Sequence, residues 1–417
     1  MSAYNSLSPN HISFLFKRFH FESILILFLF LTSSCGPNPE DKSEIFRLGS
    51  DRLFEGPYYE LIKGRKVGLI SNHTGVDSKL RHIADRLESD PEVHLAALFG
   101  PEHGFSGSFQ AGEKVVDGPR VFSLYGEQRA PTEEMLEGID ILVFDIQDVG
   151  SRFYTYISTM FESMKAAGHQ GIPFLLLDRP NPLGGTRISG PIIQAEFFSF
   201  VGIFSLPIRY GMTAGELAMF FNSEANLEVD LMIVPLTGWN RTQGFPIDQL
   251  QWISPSPNMP TVRTAEVYPG FCLIEGTTLS EGRGTTLPFE LLGAPWLDGE
   301  LLAANLNQYE LPGVFFRPQF FTPTFSKYAG ESCSGIQVHV LDSDKFDPIQ
   351  CALAVIAEVL QMNPEKMAFR ESHFDRLIGN SRVRSQLLEG RPVDQIMAQW
   401  EEELIQFAKK REKYYLY

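Results

Sequence analysis

The chain is poor in cysteine, short of positive charge and almost without long hydrophobic runs, and each shortage removes a class of protein. Four cysteines occur in 417 residues. Cys35, Cys272, Cys333 and Cys351 are too widely spaced for a disulfide framework or for the paired C-x-x-C pattern of a zinc site. The last three are expected to be buried thiols, with one bridge as the alternative. Lys and Arg number 35 against 51 Asp and Glu, a formal charge of −16. Such a surface repels nucleic acid and anionic membranes, and no basic patch interrupts it, so no nucleic-acid partner is expected. An anionic substrate would have to be held by a few arginines acting locally. There is no G-x-S-x-G elbow, no G-x-G-x-x-G after the first apolar run and no Walker loop. A serine hydrolase, a dinucleotide enzyme and an NTPase therefore lose their usual support.

One uninterrupted apolar run stands near the start, from Ser23 to Leu31, preceded by Lys17 and Arg18. It is too short to span a bilayer but suits the core of a signal peptide. It leads into Thr32-Ser33-Ser34-Cys35, small residues before a cysteine as in a bacterial lipobox, although Leu31 stands four residues before Cys35 where the usual pattern has three. The expectation is a lipoprotein signal peptide over 1–35, with Cys35 lipidated, and a solvated tether over 36–48. The protein would then be exported and membrane-anchored, periplasmic or at the cell surface, and would touch the membrane only through that anchor. Plain secretion is the fallback.

Beyond the tether the chain is long enough, at 43% apolar residues, for two domains and a cleft between them. Short apolar runs at Lys66–Ile70, Val93–Phe99, Ile141–Phe144 and Ile172–Leu177 alternate with helical patterns at Leu80–Leu87, Thr132–Leu136 and Ser158–Ala167. The runs are continuous in polarity, as strands covered on both faces must be. This predicts an α/β fold, a Rossmann-like doubly wound parallel sheet over 49–192, with a second, smaller α/β domain over 193–417 completing the cleft. In the second part Ile336–Leu341 reads as a strand and Pro348–Leu360 as a helix. Ile396–Lys410 reads as a closing amphipathic helix with Trp400 and Phe407 inward.

Polar clusters follow each predicted strand: Asn72-His73-Thr74-Gly75, Gly100-Pro101-Glu102-His103-Gly104, Asp145-Ile146-Gln147-Asp148 running on to Arg152, and Asp178-Arg179-Pro180-Asn181. In an open parallel sheet the carboxyl ends of the strands share one edge, where ligands bind. The predicted site therefore gathers Asn72, Glu102, His103, Asp145, Asp148, Arg152 and Asp178. Asp145 and Asp178 also suit turn or capping roles. Glu102 is the sharper candidate, because a carboxyl wedged between Pro101 and a glycine turn at the end of an apolar strand is costly unless it is used. A metal site from Glu102, His103 and His73 is a minor alternative. The later stretch Glu275-Gly276-Thr277 with Ser280-Glu281-Gly282-Arg283-Gly284-Thr285-Thr286 could reach the cleft, and Trp239, Trp252 and Tyr268 offer flat faces for a sugar, though core packing is the commoner fate of such rings.

Together the strings Gly100–Phe105, Asp145–Tyr156, Asp178–Gly185, Pro255–Pro260 and Glu275–Thr286 resemble the DUF1343 family, whose characterised activity is exo-β-N-acetylmuramidase of the NamZ type. The likeness runs in order from about Phe54 to Tyr417. It implies a glycoside hydrolase that releases N-acetylmuramic acid from the non-reducing end of peptidoglycan fragments, with no cofactor and no metal. On that reading Glu102 is the proton donor and His103 orients it or binds a hydroxyl, while the second carboxylate comes from Glu275, Glu281 or Asp148, with the 2-acetamido group as internal nucleophile steered by Asp145 or Asp148 as the alternative. The lactyl carboxylate of the sugar would fall to Arg152, Arg179 or Arg283. Asn72, Asp145, Tyr154, Asp178 and Asn181 are assigned to the remaining substrate contacts. The rival readings are a peptidoglycan-binding lipoprotein without activity and a metal-dependent cell-wall amidase or deacetylase.

Overall fold

Apolar runs without a polar partner strand must be covered on both faces, and the first half of the chain does this with one sheet. The computed structural model describes residues 45–102, 104 and 119–417, so Cys35, the signal segment and His103 lie outside the described residues. The described residues form a single compact unit. Six strands, β1 (Lys66–Ser71), β2 (His94–Gly100), β3 (Arg120–Ser123), β4 (Ile141–Asp145), β5 (Phe174–Leu177) and β6 (Leu231–Val234), pair in the order β3-β2-β1-β4-β5-β6. Every pairing is parallel. This is the doubly wound order, in which the winding reverses between β1 and β4 and opens a crevice at their carboxyl ends.

Alternate residues of the strands feed two cores. On one face Ile70, Phe99, Leu142, Phe144, Phe174 and Leu176 pack against Tyr156, Ile157, Met160 and Met164 of the helix Tyr156–Gln170. On the other, Val67, Leu69, Leu95, Ile141, Val143 and Leu175 meet Ile83 and Leu87 of the helix Ile83–Glu88. Two strands escaped the sequence reading. β3 is short and only half-buried, and β6 lies beyond residue 192, so the first sheet takes its last strand from past the expected boundary.

The second sheet is antiparallel: β7 (Leu291–Ala294), β8 (Val314–Phe321) and β9 (Cys333–Val340), in the order β7-β9-β8. The helices Val262–Phe271, Gly299–Gln308 and Pro348–Met362 cover one of its faces, burying Phe316, Ile336 and Val338. Gly270 lets the first and last of these helices touch, since a Cβ there would stand 1.7 Å from Pro348 O. Val149, Phe153 and Ile208 from the first half share this core, so the two parts are packed as one. The closing segment is interrupted: Val393–Met397 and Glu401–Arg411 are α-helical, with a 3-10 turn at Ala398–Trp400 between them. Trp400 and Phe407 are buried as their spacing predicted. Cys272, Cys333 and Cys351 are buried free thiols.

Candidate active site

The loops after β1 and β4 meet at the crevice and are tied to each other. Ser71 Oγ donates to Asp145 O at 2.7 Å, and Gln147 N donates to Thr74 Oγ1 at 3.0 Å. Asn72 Oδ1 accepts from Thr74 N and Oγ1 at 2.9 and 2.6 Å. Its Nδ2, also buried, lies near the Tyr156 hydroxyl but outside hydrogen-bond geometry.

Several predicted site residues are fully occupied in holding this edge together. Asp145 takes both its bonds from Arg179, Nε at 2.5 Å and Nη2 at 2.9 Å, with both side chains buried. Arg179 Nη2 also donates to Val76 O at 2.8 Å. Asp178 accepts from Arg179 N, Gly215 N, Thr213 Oγ1 and the Tyr417 hydroxyl, and so caps the helix Ala214–Glu224. Burial pushes its carboxyl up to about 6 in spite of those donors. Asn181 accepts from Leu183 N and donates to Met212 O. It also fills the space beside Gly150, whose φ of +80° suits glycine and whose Cβ would stand 2.4 Å from Asn181 Oδ1.

Arg152 corrects the expectation of a carboxylate-binding arginine most plainly. It is fully buried and donates to the Pro191, Leu206 and Leu377 carbonyls at 2.8, 2.8 and 2.7 Å. Burial pushes it down to about 9. Leu377 lies in the last turn of the helix Glu371–Ile378, where the carbonyl end favours a cation, so Arg152 pins the second half of the chain to the first.

What remains in front of this scaffold is a small reactive set. Glu102, half-buried just after β2, accepts from Thr155 Oγ1 at 2.7 Å. Thr155 immediately precedes the helix Tyr156–Gln170, so that long element sets the carboxyl's position. Tyr156 donates to Pro255 O at 2.5 Å, and His73 Nε2 bonds Ser254 O at 2.7 Å, which brings the Pro255–Pro260 motif to the sheet edge. Burial first, and then the charge of Glu102, raises the Tyr156 hydroxyl above its ordinary value. Tyr154 is raised too, by burial, then by Tyr156, with the charges of Asp148 and Glu102 adding to it. Asp148 accepts from Gly150 N at 2.7 Å and from the Tyr210 hydroxyl, while its other oxygen is buried without a hydrogen-bond partner. Burial pushes its carboxyl up to about 6.

Tyr154 also packs edge-on against Tyr268, with ring centroids 5.8 Å apart, and Tyr268 leads to the charged cluster of the second half. There Glu275 accepts from Arg283 Nε and Nη2 at 2.9 and 2.7 Å, and His373 Nε2 stands 3.6 Å from its other oxygen. Burial opposes its charge, but His373 and Arg283 prevail and hold it below the ordinary glutamate value. Glu281 is buried and paired with Lys327 at 3.1 Å, with Arg283 at 3.8 Å. Trp239 is buried and Trp252 half-buried, bonding Gly244 O and Met259 O. Thr155, Tyr156 and Tyr210 complete the set and were not singled out beforehand; the first two sit inside a quoted motif, whereas Tyr210, Lys327 and His373 carry no local signal. Among the described residues no three His, Cys, Asp or Glu side chains converge as metal ligands.

The description "Exo-beta-N-acetylmuramidase NamZ, N-terminal" fits residues 67–263, and its C-terminal counterpart fits residues 266–417. The chain is 46% identical over 411 residues to the peptidoglycan β-N-acetylmuramidase NamZ of Bacillus subtilis (strain 168), across 96% of this chain and 99% of that protein. It belongs to the NamZ family. Two crystal structures of DUF1343 family proteins from Bacteroides fragilis NCTC 9343 share the fold. One has a TM-score of 0.85 at 38% identity, the other 0.74 at 31%, each covering 89% of this chain and 99% of the other. The first NamZ region ends beyond β6, as the six-stranded sheet requires, and the second begins within the helix that carries Tyr268 toward Glu275.

Proposed function

We propose that this protein is an exo-β-N-acetylmuramidase, a glycoside hydrolase that releases N-acetylmuramic acid from the non-reducing end of peptidoglycan fragments during cell-wall turnover. The family carries the activity. The placement of Glu102 carries the mechanism: it is the half-buried carboxyl at the crevice that, among the described residues, no basic side chain pairs with, held by the Thr155 hydroxyl at a helix start. Its task is to give a proton to the leaving oxygen as the glycosidic bond stretches toward an oxocarbenium-like state.

Asp148 is the second carboxyl of the mechanism. Asp145 is neutralised by Arg179, Glu281 by Lys327 and Glu275 by Arg283, whereas among the described residues Asp148 has neutral donors on one oxygen and none on the other. Ionised, it accepts the N–H of the 2-acetamido group and steers the acetamido oxygen toward the anomeric carbon. Glu102→Gln tests the assignment on a chromogenic N-acetylmuramic-acid glycoside. Turnover should fall by roughly 10² to 10⁴ while the thermal midpoint is kept; a near-normal rate removes Glu102 from the acid role.

Export and lipidation at Cys35 are part of the same proposal, supported by the Lys17–Arg18 pair, the run to Leu31 and the small residues before the cysteine. Among the described residues no helix is long and apolar enough to cross a membrane. Cys35→Ser should move the protein from the membrane fraction to the soluble fraction of the cells that make it; equal partition of both forms would count against the anchor.

A further inference from the structure

A threonine just before a helix ordinarily gives its hydroxyl oxygen to that helix, accepting one of the free backbone N–H groups of the first turn. Among the described residues four helices follow a threonine. Thr132 accepts from Met135 N, Thr213 from Glu216 N and Thr261 from Thr264 N, each three residues further on. Thr155 does not. It precedes the helix Tyr156–Gln170, 15 residues long, but its own backbone is already helical, with φ −71° and ψ −10°, and its hydroxyl caps nothing. The hydroxyl donates instead to Glu102 Oε2 at 2.7 Å, a residue 53 positions away in the chain. A helix that carries Met160 and Met164 into the core of the first sheet is thus left without the cap its sequence supplies.

The direction of that bond decides how Glu102 can act. A carboxylic acid accepts best on its carbonyl oxygen and keeps its proton on the other, so with Oε2 taken by the Thr155 donor the acidic proton is left on Oε1. When that proton passes to the glycosidic oxygen, the C–O bonding pair goes to the same oxygen and Glu102 becomes a carboxylate. A hydrogen bond strengthens as its acceptor gains charge, so the Thr155 hydroxyl supports the transition state more than the ground state. Only an interaction that grows in this way speeds the step. The positive end of the helix behind Thr155 acts in the same direction.

We infer that Thr155 is a positioning residue for the acid: its hydroxyl fixes which oxygen of Glu102 delivers the proton and supports the charge left behind, instead of capping its own helix. The inference rests on the functional reading above.

Thr155→Val removes the hydroxyl and keeps the shape, while Thr155→Ser keeps the hydroxyl. Two substrates separate the roles: the disaccharide of N-acetylmuramic acid and N-acetylglucosamine, whose leaving alcohol needs a proton, and a dinitrophenyl glycoside of N-acetylmuramic acid, whose leaving group departs as an anion. Thr155→Val should lower kcat on the disaccharide by roughly 10- to 100-fold with KM kept, as the loss of a hydrogen bond to a charged group predicts, and cleave the dinitrophenyl glycoside nearly as before. Thr155→Ser should restore the rate. The thermal midpoint of Thr155→Val should stay in place, whereas Thr213→Val, which removes a working cap, should lower it. Equal loss on both substrates, no loss on either, serine that fails to restore the rate, or a midpoint that falls as in Thr213→Val overturns the inference, because the hydroxyl would then serve the fold or nothing. Glu102→Gln on the same two substrates keeps the two readings apart. If that variant shows no preference for the activated glycoside, Glu102 is not the acid and the functional reading fails; if it shows one and Thr155→Val does not, only this inference fails.

Discussion

The crevice of the first sheet and the charged cluster of the second half treat polar groups in opposite ways. Around Glu275 each buried or half-buried charge meets its opposite: Arg283 and His373 on Glu275, Lys327 on Glu281. Beside β1 and β4 the outer ring of residues is equally well paired, but within it Asn72 Nδ2, His73 Nδ1, Gln147 Oε1 and Asp148 Oδ1 are buried without hydrogen-bond partners among the described residues, whereas in the ionic cluster Glu281 Oε2 lacks one but faces Lys327 Nζ at 3.1 Å. Folded proteins leave few such atoms, because each forgoes its hydration. Paired charges hold a shape; a concentration of unpartnered polar atoms is the mark of a place built for something other than the fold. The difference favours the sheet edge, not the ionic cluster, as the reacting side of the cleft.

Breaking the paired ring should have the largest effect. Arg179→Ala leaves Asp145 charged, buried and alone, which costs about 3–5 kcal/mol and is measured by chemical denaturation. An unchanged midpoint would mean that the pair does not hold the edge. Tyr210→Phe acts inside the ring. The Tyr210 hydroxyl bonds and supports the ionised form of Asp148, whose carboxyl stands at about 6 mainly through burial. Removing about 1 kcal/mol of that support raises Asp148 further. If ionised Asp148 serves the reaction, the acidic limb of the pH–rate profile near 6 moves to higher pH; a limb that stays in place ends the role given to Asp148. The smallest effect is expected at the edge of the ionic cluster. His373 is substantially exposed and Arg283 already neutralises Glu275, so His373→Gln should change stability by less than about 0.5 kcal/mol. A larger loss would show that the cluster depends on all its members.

The four central strands were readable from sequence because a strand covered on both faces needs apolar residues throughout, and β1, β2, β4 and β5 have them. β3 hid because it is short and half-buried, and β6 because nothing local distinguishes Leu231–Val234 from a core segment of another domain. The placement of Glu102 at the crevice followed from its position after β2. The fates of Arg152 and Asp178 did not, since Leu377 and Tyr417, which occupy them, are 225 and 239 residues further along the chain.

The order of residues by itself determined the alternation of strand and helix, the edge at which the polar loops gather and the family, because these depend on local periodicity and on motifs read in line. Which side chains on that edge stay available was decided only by the folded chain. Whether an arginine binds a substrate or a carbonyl depends on which distant segment comes to lie against it, and that is a property of packing in three dimensions.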